Sequence, residues 1–222
     1  MDSVIGVVGG SGGVGASSFA AVLAAAAGGV LLVDLDVVGG GIDVTLGIES
    51  MSGARWSGLR LAGGRLDPDA LLGGLPRWGP VPVLAADVAE LDPDAVLQVL
   101  DVARTAGPVV LDLPRRSCPE RAAALLHCRL VVVLARADVD GLVAAHALVA
   151  GLPELPLGLV CRRGEVDGAD AARLVGAPLL GQLPTLDGNR LVLNSHRLPP
   201  AAARVAAGVL RGLGPFVDAP AA

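Results

Sequence analysis

The chain has no lysine and no tyrosine, and it is poor in aromatic residues. Its 222 residues include 17 basic residues, all of them arginine, with two tryptophans and two phenylalanines. The absence of lysine excludes, within this chain, any mechanism that needs an ammonium group on a flexible stem. The scarcity of aromatic rings and the net charge of −5 argue against a surface that stacks bases or binds nucleic acid non-specifically. We therefore expect no nucleic-acid partner.

Long apolar runs and paired cysteines are also missing. Although 53% of the residues are hydrophobic, no uninterrupted apolar run approaches the roughly 20 residues of a membrane-spanning helix. No basic segment precedes an apolar stretch at the N-terminus, as it would in a secretory signal. Cys118, Cys128 and Cys161 are widely spaced and fit neither a disulfide framework nor a metal knuckle. These absences predict a cytoplasmic protein without an intrinsic membrane segment.

Short apolar runs alternate with alanine-rich segments along the chain. The runs predict strands at Val4–Val8, Val30–Val33, Val81–Leu84, Val109–Leu113, Leu130–Ala135, Leu157–Cys161 and Leu179–Leu183. The segments between them predict helices at Ala16–Ala27, Pro68–Leu75, Pro93–Arg104, Pro119–His127, Asp140–Ala150, Ala169–Leu174 and Pro200–Leu213. Continuously apolar strands are typical of a sheet that is covered on both faces.

This alternation predicts an α/β protein with a single doubly wound, mostly parallel sheet and helices on both faces. We expect one domain over residues 1–214 and a frayed C-terminal tail over residues 215–222. The segment 50–80 is the least regular part of the chain. We expect its two tryptophans, Trp56 and Trp78, to pack against the sheet.

A glycine-rich segment follows the first predicted strand and opens the first predicted helix. Glycines let a backbone approach a phosphate closely, and a helix N-terminus offers unpaired N–H groups. The sequence therefore predicts a phosphate-binding loop, with a tight turn that binds nothing as the alternative. The segment is Gly9-Gly10-Ser11-Gly12-Gly13-Val14-Gly15-Ala16-Ser17-Ser18.

Two kinds of phosphate loop fit this segment. The spacing Gly10-x-Gly12-x-x-Gly15 matches the dinucleotide fingerprint, and Asp34 follows about 20 residues later, where an acid would bind a ribose. On that interpretation the chain is an NAD-type dinucleotide-binding protein. The segment also matches a degenerate P-loop, in which Ala16 and Ser17 stand at the usual Lys and Ser/Thr positions.

The order of the motifs along the chain favours the P-loop. Residues Ser11 to Ser17 are similar to the K-G-G-x-G-K-[ST] loop of the MinD/ParA family, the deviant Walker A group of P-loop ATPases. The segment Asp34-Leu35-Asp36 resembles the switch of that family, and Val109–Pro114 resembles its Walker B strand. Segments at 40–49 and 180–184 resemble further family motifs in the same order. The chain is identified as a MinD/ParA-like protein on this resemblance.

The resemblance implies a role for individual residues. Asp36 would be the catalytic residue, orienting the attacking water, if the protein hydrolyses nucleotide. Ser17, Asp34 and Asp112 would hold Mg²⁺, directly or through water. The implied cofactor is ATP or ADP with magnesium. Its phosphates would be bound by Gly10, Ser11, Gly12, Gly13, Val14, Gly15, Ala16, Ser17 and Ser18.

The same resemblance assigns lysines to Ser11 and Ala16, and both are missing. A hydrogen bond to a charged group is worth about 1.5–3 kcal/mol, so losing the loop lysine weakens nucleotide binding by roughly 10–150-fold. Hydrolysis depends even more on preorganised positive charge, so we expect it to be weak or absent. We expect Arg115 and Arg116 to lie in a solvated loop. A slow ATPase that uses Asp36 and arginines is the alternative.

Within the family, the resemblance is to CpaE/TadZ-like and septum-site-determining proteins, through segments 9–18, 34–43 and 58–75. It implies a nucleotide-binding or pseudo-ATPase scaffold that positions Tad pilus, secretion or division machinery. Such a protein acts through protein partners, can form a homodimer, and is recruited to the membrane, cell pole or septum. Many members carry an N-terminal receiver-like domain, which we expect this chain to lack. Cys161 stands where the family often has an asparagine that contacts adenine, which puts adenine selectivity in question.

Overall fold

Buried β-branched and leucine runs form the centre of the molecule. The computed structural model describes residues 4–59, 67–184, 193 and 198–213. The predicted tail 215–222 lies outside the described residues, as do segment 60–66 and His196. The strands are β1 (Val4–Gly9), β2 (Leu31–Asp34), β3 (Arg77–Trp78), β4 (Val81–Leu84), β5 (Val109–Leu113), β6 (Cys128–Arg136), β7 (Leu157–Arg162) and β8 (Leu179–Leu183).

These strands form one sheet in the order β3-β4-β2-β5-β1-β6-β7-β8. All neighbouring pairs are parallel except β3 and β4. Strand β1 lies between β5 and β6, so the chain winds outward in both directions from it. In open sheets of this type, a crevice opens beyond the carboxyl ends of the strands where the winding direction changes.

Helices cover both faces of the sheet. They are α1 (Ala16–Ala26), α2 (Ile42–Leu46), α3 (Pro68–Gly74), α4 (Pro93–Ala106), α5 (Pro119–Leu125), α6 (Val139–Ala150), α7 (Gly168–Val175) and α8 (Pro200–Gly212). Residues of α1, α2 and α8 share one buried cluster with one face of the sheet, and residues of α3 to α7 share the other. Successive side chains of β1 point to opposite faces of the sheet and so belong to both clusters. Val4 and Val8 pack on one face, and Ile5 and Val7 pack on the other. The predicted doubly wound α/β fold is confirmed.

Several helices begin directly after an aspartate whose side chain caps the first turn. Asp67 accepts a hydrogen bond from the Ala70 amide at 2.8 Å, and Asp92 accepts one from the Asp94 amide at 3.0 Å. A proline stands in the first turn of each of these helices. Helix α6 starts one residue earlier than predicted because Asp138 is its cap, accepting from the Gly141 amide at 2.7 Å.

Two short elements were missing from the sequence prediction. Strand β3 has only two residues, and helix α2 has five. Neither is long enough to display a period of apolar residues. Helix α2 is bounded by Gly41 and Gly47, both at positive φ, which read in sequence as a loop. Among the described residues, no helix combines the length and the apolarity needed to cross a bilayer.

Arg55 joins the irregular segment before α3 to α2, and Trp56 joins it to the sheet. Arg55 pairs with Asp43 at 3.4 Å and donates to the carbonyls of Met51 and Gly53. Trp56 is buried, and its indole N–H donates to the Asp34 carbonyl at 2.8 Å. Trp78 is buried as well, so the predicted packing of both tryptophans is confirmed.

The contact of Trp56 with β2 predicts that substitutions of Trp56 and of the adjacent Ser57 change the unfolding free energy by different amounts. Trp56→Phe leaves the buried Asp34 carbonyl without its donor, which costs about 1–3 kcal/mol of unfolding free energy. The matched control is Ser57→Ala, which removes an exposed hydrogen bond to Asp87 and changes the unfolding free energy by less than about 0.5 kcal/mol. Urea unfolding of both variants measures the difference. Equal losses would contradict this assignment of the indole.

Candidate functional site

A cleft of about 570 Å³ opens at the carboxyl end of β1. It lies where the sheet changes winding direction, between the glycine-rich loop, the segment after β2 and the end of β5. Its size is in the range of small-molecule sites. The lining residues are Gly9, Ser11, Gly12, Gly13, Val14, Gly15, Ala16, Ser17, Ser18, Asp36, Gly39, Thr45, Asp112, Leu113 and Arg115.

The glycine-rich loop carries backbone amides that other protein groups do not bind. The Gly10 amide donates to the Leu134 carbonyl at 2.8 Å and fixes the start of the loop on β6. Within the described part of the chain, the amides of residues 11–18 have no hydrogen-bond acceptor. They surround the N-terminus of α1, where the helix dipole adds positive potential. An anion in this cleft would supply acceptors for these amides, as anions do at helix N-termini.

The glycines of the loop meet different requirements. Gly13 and Gly15 have φ of 70° and 89°, a region that favours glycine. A Cβ on Gly10 would lie 2.9 Å from the Cα of Ala145 on α6, so packing requires glycine there. A Cβ on Gly12 would meet open space, and its backbone is not left-handed. The fold therefore does not require Gly12, whereas close approach of a ligand to the backbone would.

The Ser11 hydroxyl is a second sign of a missing partner. Its oxygen is buried and has no hydrogen-bond partner among the described residues. Buried hydroxyls are normally satisfied. Ser11 lines the cleft, so a bound phosphate or its solvent shell can supply the partner. The loop thus fits a polyphosphate even though it carries no lysine.

Asp112 lies inside the cleft, near the end of β5. Its carboxyl is buried and accepts a hydrogen bond from the Ser17 side chain. Burial raises the pKa of Asp112 well above its usual range, and repulsion from Asp34 raises it further. A divalent cation would relieve this repulsion. The oxygens of Ser17 and Asp112 are ligands of the kind that Mg²⁺ accepts beside nucleotide phosphates.

Asp34 is beside Asp112 on the adjacent strand but does not line the cleft. One of its carboxylate oxygens accepts from the Asp36 amide at 2.9 Å. The other accepts from the amides of Ile42 at 2.9 Å and Ala86 at 3.3 Å. Burial raises the pKa of Asp34 to about 6, and these three hydrogen bonds oppose the rise. The structure places Asp34 as the residue that organises the segment 36–42.

Asp36 does line the cleft. Its carboxylate accepts a long hydrogen bond from the exposed Val38 amide at 3.3 Å, which leaves most of its acceptor capacity free for water. It is held near the loop because Asp34 binds the Asp36 amide. The sequence placed Asp36 in this role by resemblance, and the structure places it at the edge of the same cleft as Ser17 and Asp112.

The arginines after β5 divide between two roles. Arg115 is exposed, as expected for a solvated loop, and it also lines the cleft. Arg116 pairs with Glu120 at 2.6 Å and is therefore engaged elsewhere. The buried Arg121 donates to the Arg115 carbonyl at 2.7 Å and so supports the turn. Arg115 is thus the arginine of this turn that can approach a ligand.

The structure gathers most of the predicted site residues at one place. Residues 11–18, Asp36 and Asp112 line the cleft, whereas Gly10 and Asp34 lie behind it. Gly39, Thr45, Leu113 and Arg115 were not predicted to line it. Sequence reasoning also missed Arg162, whose side chain contacts the loop from behind. Among the described residues, no group of three or more His, Cys, Asp or Glu is arranged to hold a metal.

Comparison with solved structures identifies the fold. A ParA family ATPase from Chlorobium tepidum matches with a TM-score of 0.76 at 17% identity, over 93% of this chain and 98% of that one. MinD in the MinC:MinD cell division complex of Aquifex aeolicus matches with a TM-score of 0.76 at 18% identity, over 95% of both chains. The fold is that of the MinD/ParA P-loop ATPases. Septum site-determining MinD from Pyrococcus horikoshii, complexed with Mg-ADP, matches with a TM-score of 0.65 at 16% identity over 97% of both chains.

Sequence comparison gives relatives without a described activity. Two uncharacterized proteins of Mycobacterium tuberculosis, from the CDC 1551 / Oshkosh and H37Rv strains, are each 40% identical over 223 aligned positions. The alignment covers 94% of this chain but 64% of each relative. No protein-family model matches the chain. The likeness to MinD and ParA structures therefore concerns the fold, and the site must carry the functional argument.

The different demands on Gly10 and Gly12 predict different effects of an added methyl group. Gly10→Ala pushes α6 away from the loop and costs about 1–3 kcal/mol of unfolding free energy, as overpacking does. Gly12→Ala changes the unfolding free energy by less than about 0.5 kcal/mol, because the methyl group enters open space. Urea unfolding without ligand compares the two variants. A large loss in Gly12→Ala would show that folding, and not ligand access, requires that glycine.

Proposed function

We propose that this protein binds ATP or ADP with magnesium and uses the bound nucleotide to position protein partners, with little or no hydrolysis. The observation that carries the proposal is the row of unpaired amides at residues 11–18, facing a cleft with Ser17 and Asp112. Backbone amides bind phosphate oxygens without any lysine. The chain therefore has the backbone amides with which a P-loop binds phosphate, and it lacks the lysine side chain that supplies a mobile positive charge.

Magnesium completes the charge balance of the proposed site. The Ser17 hydroxyl and the Asp112 carboxylate would hold it, directly or through water, together with phosphate oxygens. When bound, the ion neutralises phosphate charge and offsets the repulsion between the buried acids. Asp34 would support this arrangement from the adjacent strand, because both its oxygens already accept backbone hydrogen bonds. The prediction that Asp34 holds the ion stays a prediction.

The biological setting is the finer part of the proposal. We infer a deviant Walker A protein of the CpaE/TadZ or septum-site-determining type, acting in Tad pilus or secretion assembly or in septum placement. The sequence motifs at residues 9–18, 34–43 and 58–75 support this branch. The Aquifex MinD structure contains MinC as a partner, which supports action through protein partners. A homodimer, recruited from the cytoplasm to a membrane, pole or septum, is part of the same proposal.

Calorimetric titration with Mg-ATP and Mg-ADP, with NAD as a control, tests nucleotide binding. We expect saturable binding of the adenine nucleotides and none of NAD. Asp112→Asn weakens Mg-nucleotide binding by about 10–100-fold, as loss of a metal-site residue does. The same variant unfolds at a higher urea concentration without ligand, because the cost of burying a carboxylate, and its repulsion from Asp34, are removed.

The control variant is Asp69→Asn, which removes an exposed carboxylate from α3. It should bind Mg-ADP as the parent protein does. No heat with either adenine nucleotide at millimolar concentration would reject the proposed function. Binding of NAD in preference to ADP would replace it with the dinucleotide interpretation.

A second candidate function is slow ATP hydrolysis. The observation that favours it is the presence of both Asp36 and the exposed Arg115 on the wall of the cleft. An arginine can stabilise the charge that develops on a transferring phosphoryl group. Arg115 has no side-chain partner among the described residues that would hold it away from a bound nucleotide.

Phosphate release distinguishes the two functions. Hydrolysis by this site predicts that Asp36→Ala and Arg115→Ala each lower the rate at least about 10-fold, because each removes a group that acts on the reacting atoms. Mg-ADP affinity should stay within a few-fold in both variants. The preferred function predicts that the parent protein releases no more phosphate than a buffer control. Release that persists in Asp36→Ala would indicate a contaminating ATPase.

A further inference from the structure

A buried arginine lies directly behind the glycine-rich loop. Arg162 is the last residue of β7 and is 4% exposed. Its Nε donates to the Val14 carbonyl at 2.5 Å, and its Nη1 donates to the Pro184 carbonyl at 3.0 Å. The side chain also borders a small cavity with Ser18, in the first turn of α1. Arg162 thus touches the loop at Val14, which lines the cleft, but does not line the cleft itself.

Among the described residues, no acidic side chain pairs with this arginine. Both of its hydrogen-bond partners are neutral carbonyls. Burial lowers the pKa of Arg162, yet a guanidinium remains protonated at any ordinary pH. A buried charge costs free energy unless an opposite charge compensates it. An anion in the cleft, next to the Val14–Gly15 peptide that Arg162 contacts, would provide this compensation.

The contact with Val14 also fixes the direction of an amide. A trans peptide is planar, so its C=O and N–H groups point in opposite directions. Because Arg162 holds the Val14 carbonyl, the N–H of Gly15 in the same peptide points away from Arg162. Gly15 itself lines the cleft. Gly15 has a φ of 89°, which allows this orientation without strain. A loop without this contact could turn the peptide over.

We propose that Arg162 is the positioning residue and the fixed cation of the phosphate site. It orients the Val14–Gly15 peptide toward a polyphosphate and places a positive charge behind the loop, in a chain that has no lysine to place in front of it. This inference rests on the proposed function, since it assigns the residue that adapts the same site to a nucleoside di- or triphosphate. It does not require Arg162 to touch the ligand.

Charge and geometry are separated by two substitutions at this position. Arg162→Gln keeps a hydrogen-bond donor but removes the charge, and we expect it to weaken binding by roughly 10-fold or more. Arg162→Lys retains a cation beside a bound anion but only one of the two carbonyl contacts, so it should bind more tightly than Arg162→Gln and less tightly than the parent. Arg163→Gln is the matched control. It removes the adjacent, exposed arginine, which lines a separate groove, and should leave binding unchanged.

The probes are Mg-ADP and inorganic tripolyphosphate, titrated by calorimetry. Arg162→Gln should weaken both by a similar factor, because the residue acts on phosphate and not on the base. A folded Arg162→Gln protein that binds tripolyphosphate like the parent would overturn the inference. Equal weakening in Arg162→Gln and Arg162→Lys would overturn the charge assignment and leave only a structural contact.

A measurement on the unsubstituted protein keeps the inference testable if Arg162→Gln does not fold. The Gly15 amide resonance, followed by ¹H–¹⁵N NMR, should shift on addition of tripolyphosphate, and an unmoved resonance at saturation would overturn the inference. Binding of tripolyphosphate without binding of ATP or ADP would reject the proposed function while supporting the role of Arg162. A parent protein that binds none of these compounds would reject both.

Discussion

The rest of the site depends on one constraint: two buried carboxylates lie close together at the carboxyl ends of adjacent parallel strands. Strands β1, β2 and β5 end side by side, so Asp34 and Asp112 are neighbours in the interior. Two buried carboxylates cannot both ionise there without hydrogen bonds or a cation. Asp34 obtains three backbone amides, whereas Asp112 obtains one hydroxyl and faces the cleft. The uncompensated part of this charge therefore lies next to the glycine-rich loop.

Asp34 and Asp112 have different roles, and Asp34 fixes the position of the segment after β2. Asp34 binds amides on both sides of a turn rich in glycine, at Asp36 and Ile42, and a third at Ala86 beyond β4. Its own carbonyl receives the Trp56 indole. One residue thus joins β2, α2, the irregular segment and β4, and Asp36 takes its place at the cleft because of it. Asp34 thus holds the segment after β2, whereas its neighbour Asp36 lines the cleft.

Sequence reasoning reached the fold and the loop because both depend on local patterns. Buried apolar runs predict strands, and the spacing of Gly10, Gly12 and Gly15 predicts a turn into α1. The partners of Asp34 and Arg162 could not be predicted in this way. Ala86 is 52 positions from Asp34, and Val14 is 148 positions from Arg162. Such contacts follow from the order of strands in the sheet, which one sequence does not reveal. Two elements, β3 and α2, were too short to show any period.

Binding and hydrolysis make separable demands on this fold. Binding of phosphate needs amide dipoles at a helix N-terminus, which any sequence that forms the loop will supply. Hydrolysis needs positive charge placed on the transferring phosphoryl group, which side-chain cations supply together with Mg²⁺. Ser11 and Ala16 stand where the sequence resemblance assigns lysines, and the absence of lysine there affects the second demand more than the first. On the proposed function, the fixed guanidinium of Arg162 would favour a bound polyphosphate but could not follow the γ-phosphate. A protein of this kind would bind nucleotide and hydrolyse it slowly, so its nucleotide-bound state would be long-lived.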